Sequence, residues 1–166
     1  MVIIVKVGII ADTHDNLKAT RKAIEFFKEE KVSHVLHAGD LISPFTASMF
    51  SKLEADFHYV FGNNDSEEET INSKLEDFGA DHGKDFKSLK IDGLNFALLH
   101  GTDEEIVNSL AKDQEYDVVV RGHTHEANVR EEPLVINPGP ASGYLADSRT
   151  VAIFETENRD VEIFEL

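Results

Sequence analysis

Metal-binding side chains follow apolar runs at five places between residues 12 and 125 of this chain. The five segments are Asp12-Thr13-His14, Gly39-Asp40, Gly62-Asn63-Asn64-Asp65, His100-Gly101 and Gly122-His123-Thr124-His125. In α/β sheets ligands bind at the carboxyl ends of strands, so this placement predicts one site built from distant parts of the chain. Oxygen and imidazole ligands that converge there could hold two cations, which is the equipment for attacking a phosphate ester.

The first half of the chain alternates between strand and helix patterns. Apolar runs predict the strands, and apolar residues at helical spacing between charged residues predict the helices. This β-α-β-α-β-α order favours a parallel sheet flanked by helices. The predicted strands are 2–11, 33–38 and 57–61, and the predicted helices are 17–30, 43–53 and 67–78.

The second half is rich in strands and has one helix. Asp92-Gly93 between two strand patterns predicts a type I′ hairpin, and Thr102 with Glu105 predicts a capping box at the start of the helix. The predicted strands are 86–91, 94–99, 118–121, 127–131, 134–137, 151–155 and 161–166, with the helix running to about 113. The pattern predicts an α/β fold, a four-layer α-β-β-α sandwich in which two mixed sheets pack face to face with helices outside. No linker or repeat interrupts residues 1–166, so we expect a single domain.

Composition excludes several kinds of chemistry. The chain has no cysteine, which removes disulfides, thiolate metal sites and cysteine nucleophiles, and fits a cytoplasmic location. The longest apolar stretch, residues 1–11, is interrupted by Lys6 and is too short to span a membrane, so we expect neither a membrane segment nor a signal peptide. The last strand alternates apolar and acidic residues, which is compatible with an exposed edge or a pairing surface in a homo-oligomer.

The formal net charge of −16 disfavours a stable complex with nucleic acid. Such a charge is unusual for a protein that binds phosphate esters. Two divalent ions would, however, bring four positive charges against the two negative charges of Asp12 and Asp40, so the pocket stays locally positive.

The five segments resemble the pattern D-x-H, G-D, G-N-[H/D], H and G-H-x-H of calcineurin-like metallophosphoesterases. The chain is most similar to the small single-domain prokaryotic phosphodiesterases of that superfamily and to their non-enzymatic relative in the retromer coat. The resemblance extends to the Asn137-Pro138-Gly139 turn. It implies one metal held by Asp12, His14 and His125, a second held by Asn63, His100 and His123, and Asp40 as the bridge between them.

Nitrogen and oxygen ligands without sulfur suit transition metals better than Ca²⁺ or Mg²⁺ alone. We expect two divalent transition-metal ions, Mn²⁺ or Ni²⁺ before Fe, Co²⁺ or Zn²⁺. The resemblance implies that a hydroxide activated by these two metals attacks the phosphorus of a small phosphodiester.

Single residues also have simpler interpretations. Asp12 could cap the helix that begins at residue 17, although Asp15 or Asn16 is better placed for that. Asn63 after a glycine is ordinary turn chemistry. His37 could be a hydrogen-bond partner of the metal ligands, and Phe45 is more typical of a core residue than of a substrate contact.

One position departs from the family. Most members carry a histidine after the metal-binding Asn, where this chain has Asn64. An amide can donate a hydrogen bond but cannot deliver a proton at neutral pH, so Asn64 and Asp40 are the expected catalytic residues of an enzyme that prefers diesters to monoesters. The role of Asp65, which orients that histidine in the family, stays open. The alternatives are a broad phosphomonoesterase or nucleotidase and a non-catalytic scaffold of the retromer type.

Overall fold

Parallel strands from the first half and two antiparallel strands from the end of the chain form the first sheet. The computed structural model describes residues 4–166. The strands are β1 (Lys6–Ile10), β2 (His34–His37), β3 (Asp56–Tyr59), β4 (Asp81–His82), β10 (Thr150–Glu155) and β11 (Val161–Glu165). Their order is β11-β10-β1-β2-β3-β4, with β1 to β4 parallel and β10 antiparallel to β1. The C-terminal strand is thus an edge strand.

The second sheet is built from the hairpin and the strands that follow it. Its members are β5 (Phe86–Ile91), β6 (Leu94–Leu99), β7 (Val118–Val120), β8 (Asn128–Glu131) and β9 (Leu134–Asn137), in the order β5-β6-β7-β9-β8. Asp92 and Gly93 have φ of 49° and 83°, both positive as a type I′ turn requires. The predicted hairpin is confirmed.

Helices cover both outer faces of the sheet pair. They are α1 (Leu17–Glu29), α2 (Pro44–Met49), α3 (Glu68–Glu76) and α4 (Glu104–Lys112), with a 3-10 turn at Phe50–Lys52 after α2. Phe27 of α1 and Ile71 of α3 lie in the core on the outer face of the first sheet. Val107 of α4 packs on the outer face of the second sheet.

A third apolar layer lies between the two sheets. Ile9 and Leu36 from the first sheet and Phe96 and Val120 from the second belong to it, and all four are fully buried. The α/β fold and the four-layer α-β-β-α sandwich are therefore confirmed. No helix within residues 4–166 is both long and apolar enough to cross a membrane.

Local details differ from the prediction. The N-cap of α4 is Asp103, whose carboxylate accepts from the backbone of Glu105 and Ile106, so the capping box at Thr102 was wrong. The helix begins one residue later than that motif requires. The two-residue strand β4 was not predicted, because two residues carry no periodicity. Residues 2 and 3 of the first predicted strand lie outside the described residues.

Candidate metal centre

The seven predicted ligands lie at the same edge of the sandwich. They stand in the loops that follow β1, β2, β3, β6 and β7, because the carboxyl ends of these strands open on one side. Backbone hydrogen bonds join neighbouring loops: the N–H of Asp12 donates to Gly39 O over 3.0 Å, and that of Gly122 donates to His100 O over 3.0 Å. The predicted ligands are Asp12, His14, Asp40, Asn63, His100, His123 and His125.

Three of these side chains surround one point with Asp40. The Nε2 atoms of His14 and His125 lie 3.2 Å apart. His125 Nε2 is 3.4 Å from Asp12 Oδ1, and His14 Nε2 is 3.4 Å from Asp40 Oδ2. This is the grouping that the resemblance implied for one metal.

The remaining three predicted ligands form a second group. Asn63 Oδ1 is 3.0 Å from His100 Nε2 and 3.1 Å from His123 Nδ1. His100 Nε2 is in turn 3.4 Å from Asp40 Oδ2. The same Asp40 oxygen therefore lies beside both groups, as a bridging ligand would.

Backbone carbonyls orient two of the imidazoles. His100 Nδ1 donates to Ala38 O over 2.7 Å, and His125 Nδ1 donates to Tyr144 O over 2.6 Å. Because a carbonyl can only accept, each ring carries its proton on Nδ1. The Nε2 lone pair then faces the other ligands, which is the tautomer that binds a metal.

The site attracts positive charge. The carboxylates of Asp12 and Asp40 raise the pKa of His14, and the largest cause is Asp12, whose Oδ1 lies 3.8 Å from His14 Nε2. Burial alone would lower the pKa of His100, but Asp40 and the Ala38 carbonyl outweigh it and raise that pKa. Burial works against ionised Asp40 as well, yet His100 and Asn64 hold its pKa well below the ordinary value.

The residues fit divalent cations. Asp12 Oδ1 is fully buried and has no hydrogen-bond partner within residues 4–166. An unpartnered buried carboxylate oxygen is costly unless a cation pairs with it. Two clusters of potential ligand atoms share that carboxylate, one with His14 and His125 and the other with Asp40 and His100.

The ligand loops have an unusual backbone conformation. Five predicted ligands have positive φ: Asp12 (53°), His14 (42°), Asp40 (59°), His123 (75°) and His125 (55°). The left-handed region is sparsely occupied by residues other than glycine, and each such residue costs about 1–3 kcal/mol. Strain of this kind accumulates at functional sites, where the surrounding contacts enforce it.

A glycine allows the loops after β2 and β3 to touch. A Cβ atom at Gly62 would lie 2.1 Å from Asp40 Oδ1 and 2.4 Å from Asp40 N. These distances are far inside van der Waals contact, so a side chain here would displace Asp40. The need for Gly62 comes from this close approach.

Asp65 ties the same two loops together. Its Oδ2 accepts from the N–H of Asp40 over 2.9 Å and of Gly62 over 2.7 Å, and its Oδ1 accepts from Ile42 over 2.6 Å. Tyr59 donates its hydroxyl to Oδ2 as well. Asp65 thus has a clear structural role that its sequence neighbours did not reveal. Burial raises the pKa of both Asp65 and Tyr59.

His37 supports the site from behind the predicted ligands. Its hydrogen bonds go to residues next to two of those ligands and not to the ligands themselves. It is fully buried; its Nδ1 accepts from Gly39 N over 3.1 Å, so its Nε2 carries the proton and donates to Thr13 Oγ1 over 3.1 Å. Its partners are thus the neighbours of Asp40 and Asp12, a correction to the predicted contact with the ligands themselves. Burial lowers the pKa of His37 to about 3.

Two alternative interpretations are overturned. Asn16 caps α1 by accepting from Ala19 N over 3.1 Å, so Asp12 is not a helix cap. Phe45 is 77% exposed, so its interpretation as a core residue was wrong; in α2 the buried residues are Thr46 and Ala47.

The turn after β9 lies beside the site. Asn137 is buried and donates to Gly122 O over 3.2 Å and to Thr124 Oγ1 over 2.9 Å. Farther along, Ser142 N donates to Asp12 O over 3.1 Å. The turn therefore fixes the backbone of two ligand loops. These supports carry no sequence signal, because hydrogen bonds to backbone carbonyls do not constrain the residue type at the carbonyl.

Known proteins share both the sequence and the fold. Residues 5–159 match the calcineurin-like phosphoesterase superfamily domain. A phosphodiesterase from Methanocaldococcus jannaschii is 41% identical over 158 residues, which cover 93% of this chain and 95% of that protein. The solved structure of an archaeal phosphodiesterase aligns with a TM-score of 0.92 at 40% identity, covering 97% of this chain and 99% of that one.

A more distant structure shares the fold alone. Vps29 from Entamoeba histolytica aligns with a TM-score of 0.68 at 19% identity, covering 97% of this chain and 98% of its own. The family match over nearly the whole chain, together with the clustered Asp and His ligands, decides the classification: this protein belongs to the calcineurin-like phosphoesterase superfamily.

Proposed function

We propose that this protein is a metal-dependent phosphodiesterase that hydrolyses small phosphodiesters in the cytoplasm, with residues 1–166 as its single domain. The observation that carries the proposal is the position of Asp40 Oδ2, 3.4 Å from His14 Nε2 on one side and 3.4 Å from His100 Nε2 on the other. A carboxylate shared by two ligand groups is the arrangement that a two-metal centre needs. The 41% identity to a phosphodiesterase supports the same activity.

The proposed ligand assignment follows the two groups. One group is Asp12, His14 and His125, the other is Asn63, His100 and His123, and Asp40 belongs to both. We propose Mn²⁺ or Ni²⁺ as the native ions, with Fe, Co²⁺ and Zn²⁺ as the other candidates. When bound, such ions lower the pKa of water and offset the charge on phosphate oxygens.

Asn64 favours diesters over monoesters. It stands beside Asp40 at the exposed edge of the site, where an incoming phosphate is expected to bind. Its amide can hold a phosphate oxygen by a hydrogen bond but cannot protonate a leaving group. A diester with a good leaving group does not need that proton, whereas an alkyl monoester does.

The surface charge bears on partners. With a net charge of −16, the protein repels long polyphosphate chains, so we propose a small substrate and no stable nucleic-acid complex. The edge strand β11 could pair with the same strand of a second copy of the chain. A native mass measurement decides whether the protein is a homo-oligomer.

The paired ester assay tests the function. Protein stripped with a chelator and reloaded with Mn²⁺ or Ni²⁺ is given bis(p-nitrophenyl) phosphate and p-nitrophenyl phosphate in parallel. We expect metal-dependent release of p-nitrophenolate, with the higher kcat/KM on the diester. Preference for the monoester would establish the phosphomonoesterase alternative, and no turnover of either ester would establish the scaffold.

A further inference from the structure

An apolar groove opens directly beside two of the proposed metal ligands. It has a volume of about 510 Å³ and begins at Asn63 and His100. Phe86 at the start of β5, Ile106 and Leu110 of α4, and Tyr116 line it farther out. Its volume is that of a typical small-ligand pocket, which spans roughly 300–1,000 Å³.

Core packing does not explain why apolar side chains in this groove are exposed to solvent. Helix α4 turns Val107 and Ala111 toward the sheet, which leaves Ile106 53% exposed. Phe86 is 40% exposed, and its ring meets Tyr116 edge to face with centroids 6.0 Å apart. Apolar side chains that line one cavity and stay open to solvent are the walls that a small-ligand site presents.

Charge restricts what the groove can hold. Asp85, Asp103 and Asp113 stand along it, and none of its lining residues within the described chain 4–166 is a lysine or arginine. Three carboxylates without a cation repel a second phosphate or any other anionic group. Aromatic and aliphatic walls favour an uncharged ring over a polar chain.

We propose that the groove binds one ester substituent of the substrate, and that this substituent is uncharged and apolar, of the size of an aromatic ring. The inference rests on the proposed phosphodiesterase function, because it places the phosphate of the substrate at the ligands with which the groove begins. The substrates are then diesters with one bulky uncharged substituent. Dinucleotides that carry a further phosphate on that substituent are excluded.

Two phosphonates with the same head group test the groove without requiring turnover. Calorimetry on the Mn²⁺-loaded protein gives the Kd of phenylphosphonate and of methylphosphonate. We expect phenylphosphonate to bind about tenfold more tightly, because only its ring reaches the apolar walls. Equal Kd values would overturn the proposal.

An exposed side chain in the groove provides the variant. Ile106→Asp adds a charge to the wall of the groove at a solvent-exposed position, so folding should tolerate it, and the advantage of phenylphosphonate should fall below about threefold. Ile4→Asp is the matched control, since Ile4 is 47% exposed and is not among the residues that line the groove. An unchanged preference in Ile106→Asp would overturn the proposal.

Two further probes separate other occupants. A 4-carboxyphenylphosphonate should bind more weakly than phenylphosphonate, and tighter binding would contradict the charge argument. If native mass spectrometry shows a dimer that Ile106→Asp dissociates while the phenyl preference is kept, the groove is a subunit interface and the proposal fails.

The two proposals fail in different ways. Bis(p-nitrophenyl) phosphate is assayed with the same protein preparation. Turnover of this diester together with equal phosphonate Kd values would overturn the groove and leave the phosphodiesterase intact. A tenfold phenyl preference without turnover would support the groove as a ligand site and overturn the enzymatic function.

Discussion

Asn64 donates hydrogen bonds to both carboxylate oxygens of Asp40, from its backbone N–H to Oδ1 over 2.9 Å and from its side-chain amide to Oδ2 over 2.7 Å. The residue that replaces the family's histidine therefore also holds the proposed bridging ligand. These two bonds help to keep Asp40 ionised and in place between the two ligand groups. Asn64 thus has two roles: it holds Asp40 in place, and it is the residue proposed to bind a phosphate oxygen.

Replacing Asn64 with histidine should restore a proton donor. We expect Asn64→His to raise kcat/KM on an alkyl monophosphate by at least about tenfold, because general acid catalysis contributes about 10²–10⁴ when well placed. Phosphate release measures the gain, and Asn64→Ala should show none. If Asn64→His gives no increase while it retains both metals, the missing acid is not what limits monoester cleavage.

Removing Asp40 should empty both ligand groups. Asp40→Ala takes away the carboxylate that both groups share, so we expect metal content to fall from two ions per chain toward zero and diester cleavage to fall to background. Atomic emission of the purified protein measures the ions. Asp160→Ala is the control, because Asp160 is an exposed acid in the connection between β10 and β11. Two bound ions and retained turnover in Asp40→Ala would remove Asp40 from the bridging role.

A methyl group at Gly62 should disrupt the site by contact alone. Gly62→Ala pushes a Cβ into Asp40 and should cost about 1–3 kcal/mol of the free energy of unfolding, with loss of metal. Gly79→Ala is the matched control, because Gly79 has φ of +73° but no atom within 4 Å of a new Cβ. That variant should lose about 1 kcal/mol from backbone conformation and keep its metals. Metal binding equal in both variants would show that the loops accommodate the methyl.

The hydroxyl of Tyr59 should stabilise the protein through Asp65. Tyr59→Phe removes one donor from a buried carboxylate that retains three backbone donors, so we expect a loss of about 1–3 kcal/mol in urea unfolding. Tyr144→Phe alters an exposed hydroxyl and should change the free energy of unfolding little. A Tyr59→Phe protein as stable as the wild type would show that Asp65 does not depend on this bond.

His37 should make the metal-free protein less stable in acid. Its pKa is about 3 when folded against about 6.5 when unfolded, so the unfolded chain takes up the proton first. Above pH 6.5 the ring is neutral in both the folded and the unfolded chain, so His37 costs no stability there. As pH drops from 6.5 toward 3, the free energy of unfolding falls by up to about 1.4 kcal/mol per pH unit. Urea unfolding in a chelator between pH 7 and pH 4 measures this slope. His37→Gln should have a smaller slope, and parallel curves would contradict the assignment.

The sequence was sufficient to predict which residues gather and where. Asp12, Asp40 and His100 each follow an apolar run, and the end of a buried strand is a position that local hydrophobic pattern encodes. The hairpin at Asp92-Gly93 was equally legible, because its turn type demands particular residues at two adjacent positions. Periodicity and turn chemistry are short-range properties, and they fixed the order and type of nearly all elements.

Only the tertiary structure decided the contacts between those elements. The bonds of Asp65 to Tyr59 and to the Asp40 backbone, the exposure of Phe45 and the groove between Phe86 and Ile106 all depend on how separate loops and helices pack. A backbone N–H or carbonyl offers the same partner whatever its side chain, so no residue pattern announces it. The sequence alone determined which types of ligand side chain are present. The hydrogen bonds that hold those side chains in place, and the groove proposed to select a substrate, depend on packing in the tertiary structure.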